Sequence, residues 1–168
     1  LTNDDSLSPE VRITLLQALT HAAFKMAEGQ SIDLSVVEKS IDINTLKDMH
    51  QKKTGALLSC SVNLGALISE KCTKEDRQIL NQFSKDIGLA YQIQDDVLDV
   101  LTPDFKLGKR QNSDVDKNKP TYPALLGLEN SKREYEDLYK KAFSALNSLS
   151  VDASQLQQLT QQLQSRSF

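Results

Sequence analysis

The chain has 168 residues, of which 39% are hydrophobic and 26% are charged, and its formal net charge is −3. This composition excludes a disordered chain, and the acidic balance argues against a broad nucleic-acid surface. No apolar run approaches the roughly 20 residues that cross a bilayer. Cys60 and Cys72 lack the CxxC spacing of a metal site, which favours free thiols in a reducing cytosol, so a cytoplasmic protein is expected. His21 and His50 are isolated, and we expect packing or surface placement for both.

The first predicted helix begins at Pro9, because Ser8 suits the N-cap and proline suits the first helical position. Apolar residues then recur at helical spacing. Gly29 is expected to end this helix, and residues 31–44 are expected to form a connector.

A second long helix is predicted over about residues 45–69, with Asp42 or Asn44 as its N-cap. Gly55 is unusual inside a helix. Because it has no side chain, it permits close approach of a substrate or of a neighbouring helix.

The third predicted helix begins after Thr73, which suits the N-cap, with Asp76 completing an imperfect capping box. Its apolar stripe continues to about Leu101, and Pro103 disfavours helical geometry beyond it. The polar segment that follows, up to Lys119, is predicted to be a long loop, and such loops tend to be functional.

Three further helices are predicted after this loop. A short one lies in residues 120–128, an amphipathic one over about 131–149, and a last one over about 153–164, whose glutamines are interpreted as a solvated face. The sequence contains no convincing strand pair. The predicted fold class is therefore all-α.

The third helix carries an acidic face. With 3.6 residues per turn, four polar residues gather within roughly 100° on one side of it: Gln92, Asp95, Asp96 and Asp99. They could form a solvated surface, but like charges within one turn repel, so a cation is favoured. Lys109 and Lys119 follow and suit phosphate oxygens. The combination suggests a diphosphate bridged by a metal ion.

Several short motifs in this order resemble the second half of the bacterial farnesyl diphosphate synthases, which are short-chain trans-prenyl diphosphate synthases. No single motif is specific, but their order and spacing agree across about 100 residues. The motifs are Gly29-Gln30-x-x-Asp33, Lys53-Thr54-Gly55, Tyr91-Gln92-x-x-Asp95-Asp96-x-x-Asp99, Gly108-Lys109, Asp114-x4-Lys119 and Thr121-Tyr122-Pro123-Ala124-Leu125.

The resemblance implies a helical bundle, the C-terminal half of the isoprenoid synthase fold, in an enzyme that is usually a homodimer. It implies condensation of dimethylallyl or geranyl diphosphate with isopentenyl diphosphate to give farnesyl diphosphate. The allylic diphosphate would ionise to a carbocation with the help of Mg²⁺, which prefers carboxylate and phosphate oxygens and keeps several waters.

The resemblance also assigns metal-site roles. Asp95 would be a direct Mg²⁺ ligand, with Asp96 and Asp99 acting through water or through their field. A possible outer shell comprises Asp114, Gln30 and Asp33. For Gln30 and Asp33 a helix-terminating turn is an alternative.

Lys53, Lys109 and Lys119 would hold the diphosphate, although Lys109 and Lys119 could instead be solvated loop residues. Thr54 and Gln92 would present oxygen dipoles to the developing cation, together with the Lys53 carbonyl. The alternative for Thr54 is a hydroxyl bonded to a carbonyl of its own helix.

The resemblance covers only half of such an enzyme. The sequence lacks the first aspartate motif and the isopentenyl diphosphate site, and Asp4-Asp5 is no substitute. We therefore expect residues 1–168 to be the C-terminal part of one polyprenyl synthetase domain, present as a fragment, with negligible activity by itself. Alternatives are a noncatalytic or regulatory small subunit, and a geranyl or geranylgeranyl diphosphate synthase.

Overall fold

A computed structural model describes residues 6–101 and 119–166, and these form α-helices and no strand. The prediction of an all-α fold is confirmed. The segments, in chain order, are α1 Pro9–Ser35, α2 Ile43–His50, a π-helical turn Gln51–Gly55, α3 Ala56–Ile68, α4 Lys74–Leu101, α5 Tyr122–Leu126, α6 Leu128–Asn147 and α7 Ser154–Gln164. Lys109 and Asp114 lie outside the described residues.

Helix α4 is the centre of the bundle, packing along α6 and against α3. Its apolar side supplies much of the buried core, including Phe83, Ile87 and Ile93. Tyr139 of α6 is fully buried against this cluster. No helix within the described ranges has both the length and the apolarity to cross a membrane.

The predicted start of α4 is confirmed. The Asp76 backbone N–H donates to Thr73 Oγ1 at 3.0 Å, and the Thr73 N–H donates to Asp76 Oδ2, also at 3.0 Å. The Asp76 carboxylate also accepts the Ser150 N–H at 2.8 Å and the Ser150 hydroxyl at 2.6 Å. One side chain therefore caps α4 and ties it to the segment between α6 and α7.

The expectation that Gly29 ends the first helix is wrong, because α1 continues to Ser35. A Cβ atom on Gly29 would clash with the Lys53 backbone N and would lie 2.7 Å from Lys53 Cα. Gly29 therefore serves close packing between α1 and the π-helical turn. The connector is correspondingly shorter than predicted, and Asp42 caps α2 by accepting the Thr45 N–H at 2.8 Å.

The second predicted helix is interrupted by the π-helical turn, which contains Lys53, Thr54 and Gly55. A Cβ on Gly88 of α4 would lie 3.1 Å from Gly55 Cα. The close approach therefore depends on the missing side chain of Gly88, whereas a Cβ on Gly55 would come no closer than 3.8 Å to another atom, at the His50 carbonyl oxygen. Helix α6 begins at Leu128, directly after Gly127, whose φ of 81° favours glycine.

Replacing Gly29 by alanine is expected to lower the free energy of unfolding by about 2 kcal/mol or more, because the new methyl group meets backbone that cannot move cheaply. Gly65→Ala is the control, since Gly65 lies inside α3 and a methyl group added there would have no neighbouring atom within 4 Å. It should stabilise the protein by up to about 1 kcal/mol. Urea denaturation measures both, and equal stabilities would contradict the packing argument.

Asp76 should make the stability of the protein depend on pH in the acidic range. Hydrogen bonds, first from Ser150 and then from Thr73, hold its pKa well below the usual range. That stabilisation is complete above the unfolded-state pKa of about 4 and is lost as the pH falls towards the lower folded-state pKa. The difference in unfolding free energy between the wild type and Asp76→Asn should therefore be smaller at about pH 3 than at about pH 7.

The matched control is Asp137→Asn, because Asp137 pairs with Lys140 on the surface with 63% of its side chain exposed. Its replacement should have little effect at neutral pH. Urea denaturation at several pH values measures these differences. A gap between the wild type and Asp76→Asn that stays constant across the range would contradict the role assigned to the Asp76 carboxylate.

Candidate functional site

A small polar cavity of about 90 Å³ lies where α1, the π-helical turn, α4 and the segment before α5 meet. Its lining brings together several of the residues predicted from sequence. They are Asp33, Lys53, Gln92, Asp95, Asp96 and Lys119, accompanied by Met49, His50, Pro120 and Thr121. Gln30 is exposed on α1, and Thr54 is half-buried in the π-helical turn; neither lines this cavity.

Two of the predicted diphosphate lysines share one carboxylate. Lys53 Nζ lies 2.8 Å from Asp33 Oδ2, and Lys119 Nζ lies 3.1 Å from the same oxygen and 3.2 Å from Oδ1. Burial by itself would raise the pKa of Asp33, but the hydrogen bonds from Lys53 and Lys119 outweigh it and lower the pKa. Asp33 is therefore an anion between two cations.

The acidic face of α4 presents its three aspartates differently. Asp95 lines the cavity, and 42% of its side chain is exposed. Asp99 is buried, with 4% exposure, and is not among the residues that line the cavity. Gln92 is half-buried and lines the cavity beside Asp95. Asp95 is thus the member of the motif best placed to meet a ligand.

Asp96 is turned towards the protein interior. Its Oδ2 accepts the Tyr122 backbone N–H at 2.9 Å and lies 3.3 Å from His50 Nε2. The His50 ring stacks on that of Tyr122, with centroids 5.8 Å apart and planes at 13°. The packing role expected for His50 is confirmed, but His50 is not isolated: it joins α2 to α4 and α5.

This contact helps to place Lys119. Thr121 caps α5 by accepting the Ala124 N–H at 3.3 Å, and the next residue donates its N–H to Asp96. The start of α5 is therefore held against α4 at a fixed point. Lys119 lies just before that point and reaches Asp33.

Arg166 lies across the start of the acidic motif. Its guanidinium carbon is 3.7 Å from the centre of the Tyr91 ring, and its Nη2 donates to the Tyr91 carbonyl at 2.7 Å. Its Nε donates to Gln94 Oε1 at 3.1 Å, and its Nη1 lies 3.6 Å from Asp95 Oδ1. A fixed positive charge therefore stands beside Asp95.

Sequence reasoning missed Arg166, Gln94 and the pairing of His50 with Asp96. Gln94 is 3% exposed and also accepts the Tyr139 hydroxyl at 2.8 Å. A buried glutamine on the apolar side of α4 was the available signal, because buried polar groups require partners. No comparable signal marked Arg166, which lies in a segment rich in Gln and Ser.

The carboxylates suit a metal that is shared with a ligand better than one enclosed by protein. Among the described residues no group of three or more His, Cys, Asp or Glu side chains could enclose a metal ion. Mg²⁺ is commonly held by one or two carboxylates plus substrate phosphates and water. A half-exposed Asp95 in a polar cavity with lysines fits that arrangement.

A larger cavity, of about 690 Å³, lies elsewhere, between α3, the start of α4 and the turn before α7. Its lining includes Cys72, Leu80 and Ser150, and none of the residues predicted for function. The smaller cavity is the stronger candidate site, because charged groups of both signs converge on it from four segments of the chain.

Asp95 and Asp96 are adjacent in sequence but should differ in their effect on stability. Asp96→Ala would leave a buried backbone N–H without its acceptor and should lower the unfolding free energy by about 2–4 kcal/mol. Asp95→Ala should change it by less than about 1 kcal/mol, since Asp95 is half-exposed. Urea denaturation at neutral pH measures both, and equal losses would refute the interpretation of Asp96 as an interior contact.

The curated relatives of this chain include farnesyl diphosphate synthases of two bacteria. That of Haemophilus influenzae is 40% identical over 155 residues, a match that covers 90% of this chain and 52% of the relative. That of Escherichia coli is 39% identical over 164 residues, covering 92% and 55% respectively. The chain therefore spans about half the length of these relatives.

Among solved structures, a geranyltransferase from Helicobacter pylori, complexed with magnesium and isoprenyl diphosphate, superposes with a TM-score of 0.77 at 26% identity. The match covers 94% of this chain and 52% of the other. The family model described as Polyprenyl synthetase matches residues 5–159. From this match and the relatives' identities, the chain belongs to the polyprenyl synthetase family.

Proposed function

We propose that this chain carries the diphosphate-ionising half of a prenyltransferase active site. The observation that supports the proposal is the convergence of Lys53, Lys119 and the half-exposed Asp95 on one polar cavity. Two ammonium groups suit phosphate oxygens, and a neighbouring carboxylate suits a metal ion bound to the same anion.

The proposed substrate is an allylic diphosphate, either dimethylallyl or geranyl diphosphate, and the acceptor is isopentenyl diphosphate. Farnesyl diphosphate is the proposed product, since the relatives with 39–40% identity are farnesyl diphosphate synthases. The magnesium and isoprenyl diphosphate of the Helicobacter pylori geranyltransferase complex support the same ligands for this chain.

Each residue of the cavity has a role in this proposal. Lys53 and Lys119 bind the diphosphate and hold it in place as negative charge develops on the leaving pyrophosphate. Asp95 would hold Mg²⁺, with Asp96 and Asp99 contributing through their field. Bound Mg²⁺ supplies neutralisation of the pyrophosphate charge.

The allylic cation would be stabilised by neutral oxygens from two elements. Gln92 presents an amide group to the cavity from α4. Thr54 and the Lys53 carbonyl belong to the π-helical turn, where the helical hydrogen-bond pattern changes. Such π-helical turns are frequent locations of functional residues. Neutral oxygens suit this task because a carboxylate could be alkylated by the cation.

Lys109 and Asp114, which lie outside the described residues, are also given roles in this proposal. Lys109 would add to the diphosphate contacts, and Asp114 would add to the outer metal contacts.

We also propose that residues 1–168 are the C-terminal part of one catalytic domain in the cytoplasm. A complementary N-terminal half would supply the first aspartate motif and the isopentenyl diphosphate site, and the complete enzyme would be a homodimer. The isolated chain should accordingly bind diphosphate but show negligible condensation activity.

Binding of inorganic pyrophosphate in the presence of Mg²⁺, followed by isothermal titration calorimetry, tests the diphosphate site. Lys53→Ala and Lys119→Ala should each weaken binding by about tenfold or more, since each removes a charge-assisted hydrogen bond. Lys52→Ala is the control, because Lys52 is paired with Glu28 and Asp48 at 2.7 Å each and does not line the cavity.

The metal role is tested in the same assay with Asp95→Asn. This variant should lose most of the gain in pyrophosphate affinity that Mg²⁺ confers on the wild type. If the three lysine variants bind alike and Asp95→Asn keeps the full Mg²⁺ effect, the proposed function is wrong.

A further inference from the structure

Asp33 holds together two lysines that are far apart in sequence. Lys53 is 20 residues away and Lys119 is 86 residues away, yet both ammonium groups contact the same carboxylate oxygen. The Asp33 side chain is 7% exposed, compared with 31% for Lys53 and 23% for Lys119. The carboxylate thus lies beneath the two lysines, which remain accessible from the cavity.

The position of Asp33 follows from the uninterrupted course of α1. Asp33 lies four residues after Gly29, and such positions share one face of a helix. Gly29 allows the backbone of Lys53 to approach α1, and Asp33 binds the ammonium group of the same residue. Lys53 is therefore fixed to α1 at both its backbone and its side chain.

The charges explain why such a carboxylate is needed. Two ammonium groups that contact one oxygen repel each other, and partial burial strengthens the repulsion. Asp33 compensates this repulsion and leaves the three groups with a net charge of +1. Each ammonium has three N–H donors, so donors remain for another anion.

We propose that Asp33 is a positioning residue that assembles Lys53 and Lys119 into a two-cation site before diphosphate binds. This inference rests on the proposed function of the two lysines. The role of Asp33 differs from that of an outer metal ligand, because Asp33 acts on the lysines whether or not Mg²⁺ is present. It also differs from that of a competing anion, because preassembly should strengthen the binding of diphosphate.

Calorimetric titration of the full chain with inorganic pyrophosphate, with and without Mg²⁺, tests the proposal. Asp33→Asn should weaken binding by about tenfold in both conditions, because the lysines are no longer preassembled. Asp33→Glu should recover part of the affinity. Glu28→Gln is the matched control, since it removes another short carboxylate contact of α1, with Lys52 at 2.7 Å, and should change affinity less than about twofold.

The outcomes separate the possible roles. Equal or tighter pyrophosphate binding by Asp33→Asn would overturn the proposal, as would a loss seen only with Mg²⁺. If Lys53→Ala and Lys119→Ala weaken binding while Asp33→Asn does not, only the positioning role fails. If the wild type binds no pyrophosphate, the proposed function fails.

Lysine acetylation gives a readout that needs no ligand. In Asp33→Asn, both Lys53 and Lys119 should be acetylated several-fold faster relative to Lys52 than in the wild type, because the carboxylate that holds both ammonium groups is gone. Peptide mass spectrometry measures these rates. Unchanged relative rates in a variant with wild-type circular dichroism would overturn the positioning role whatever the pyrophosphate titration shows. Should Asp33→Asn fail to fold, Asp33→Glu provides the test: unchanged acetylation rates and unchanged pyrophosphate affinity would overturn the proposal.

Discussion

The close approach of the Lys53 backbone to Gly29 is the contact on which the candidate site depends. Because Gly29 has no side chain, the π-helical turn can lie directly on α1. A second approach, between Gly55 and Gly88, sets the same turn against α4. The turn is therefore held between two helices at backbone distance, and Lys53 is fixed more tightly than a surface lysine would be.

The charges of the site are organised around that contact. Asp33 receives Lys53 from the π-helical turn and Lys119 from the segment before α5. Arg166, which does not line the cavity, lies beside Asp95. Cations and carboxylates thus alternate through the site, which limits the repulsion among like charges in a partly buried space. Such a site is suited to a polyanion that arrives together with a metal ion.

The acidic motif of α4 combines two tasks in neighbouring residues. Asp95 and Asp96 both line the cavity, but Asp95 is half-exposed, whereas Asp96 is buried, accepts the Tyr122 N–H and contacts His50. Because Tyr122 begins α5, the orientation of Asp96 also determines where the start of α5 lies against α4. A pair of adjacent aspartates therefore links ligand chemistry to the placement of Lys119. Position on a helix face alone does not reveal this division of roles.

Local sequence signals predicted the helices well where the determining residues were neighbours. The Thr73 and Asp76 cap, the course of α4 and the all-α class all follow from spacing within a few residues. The residue types of the site could also be listed, because carboxylates and lysines are what a metal-bound diphosphate requires. The end of α1 could not be predicted, since Gly29 normally favours helix termination and only the packing of Lys53 explains its place inside the helix.

By itself, the sequence determined the helical class, the acidic face of α4 and the lysines that could accompany it. Only the tertiary structure decided that Asp33 pairs with Lys53 and Lys119, that Asp96 turns inward, and that Arg166 lies against Tyr91. The physical reason is distance along the chain. These contacts join residues 20 to 86 positions apart, and helical periodicity carries no information about which faces will meet at that separation.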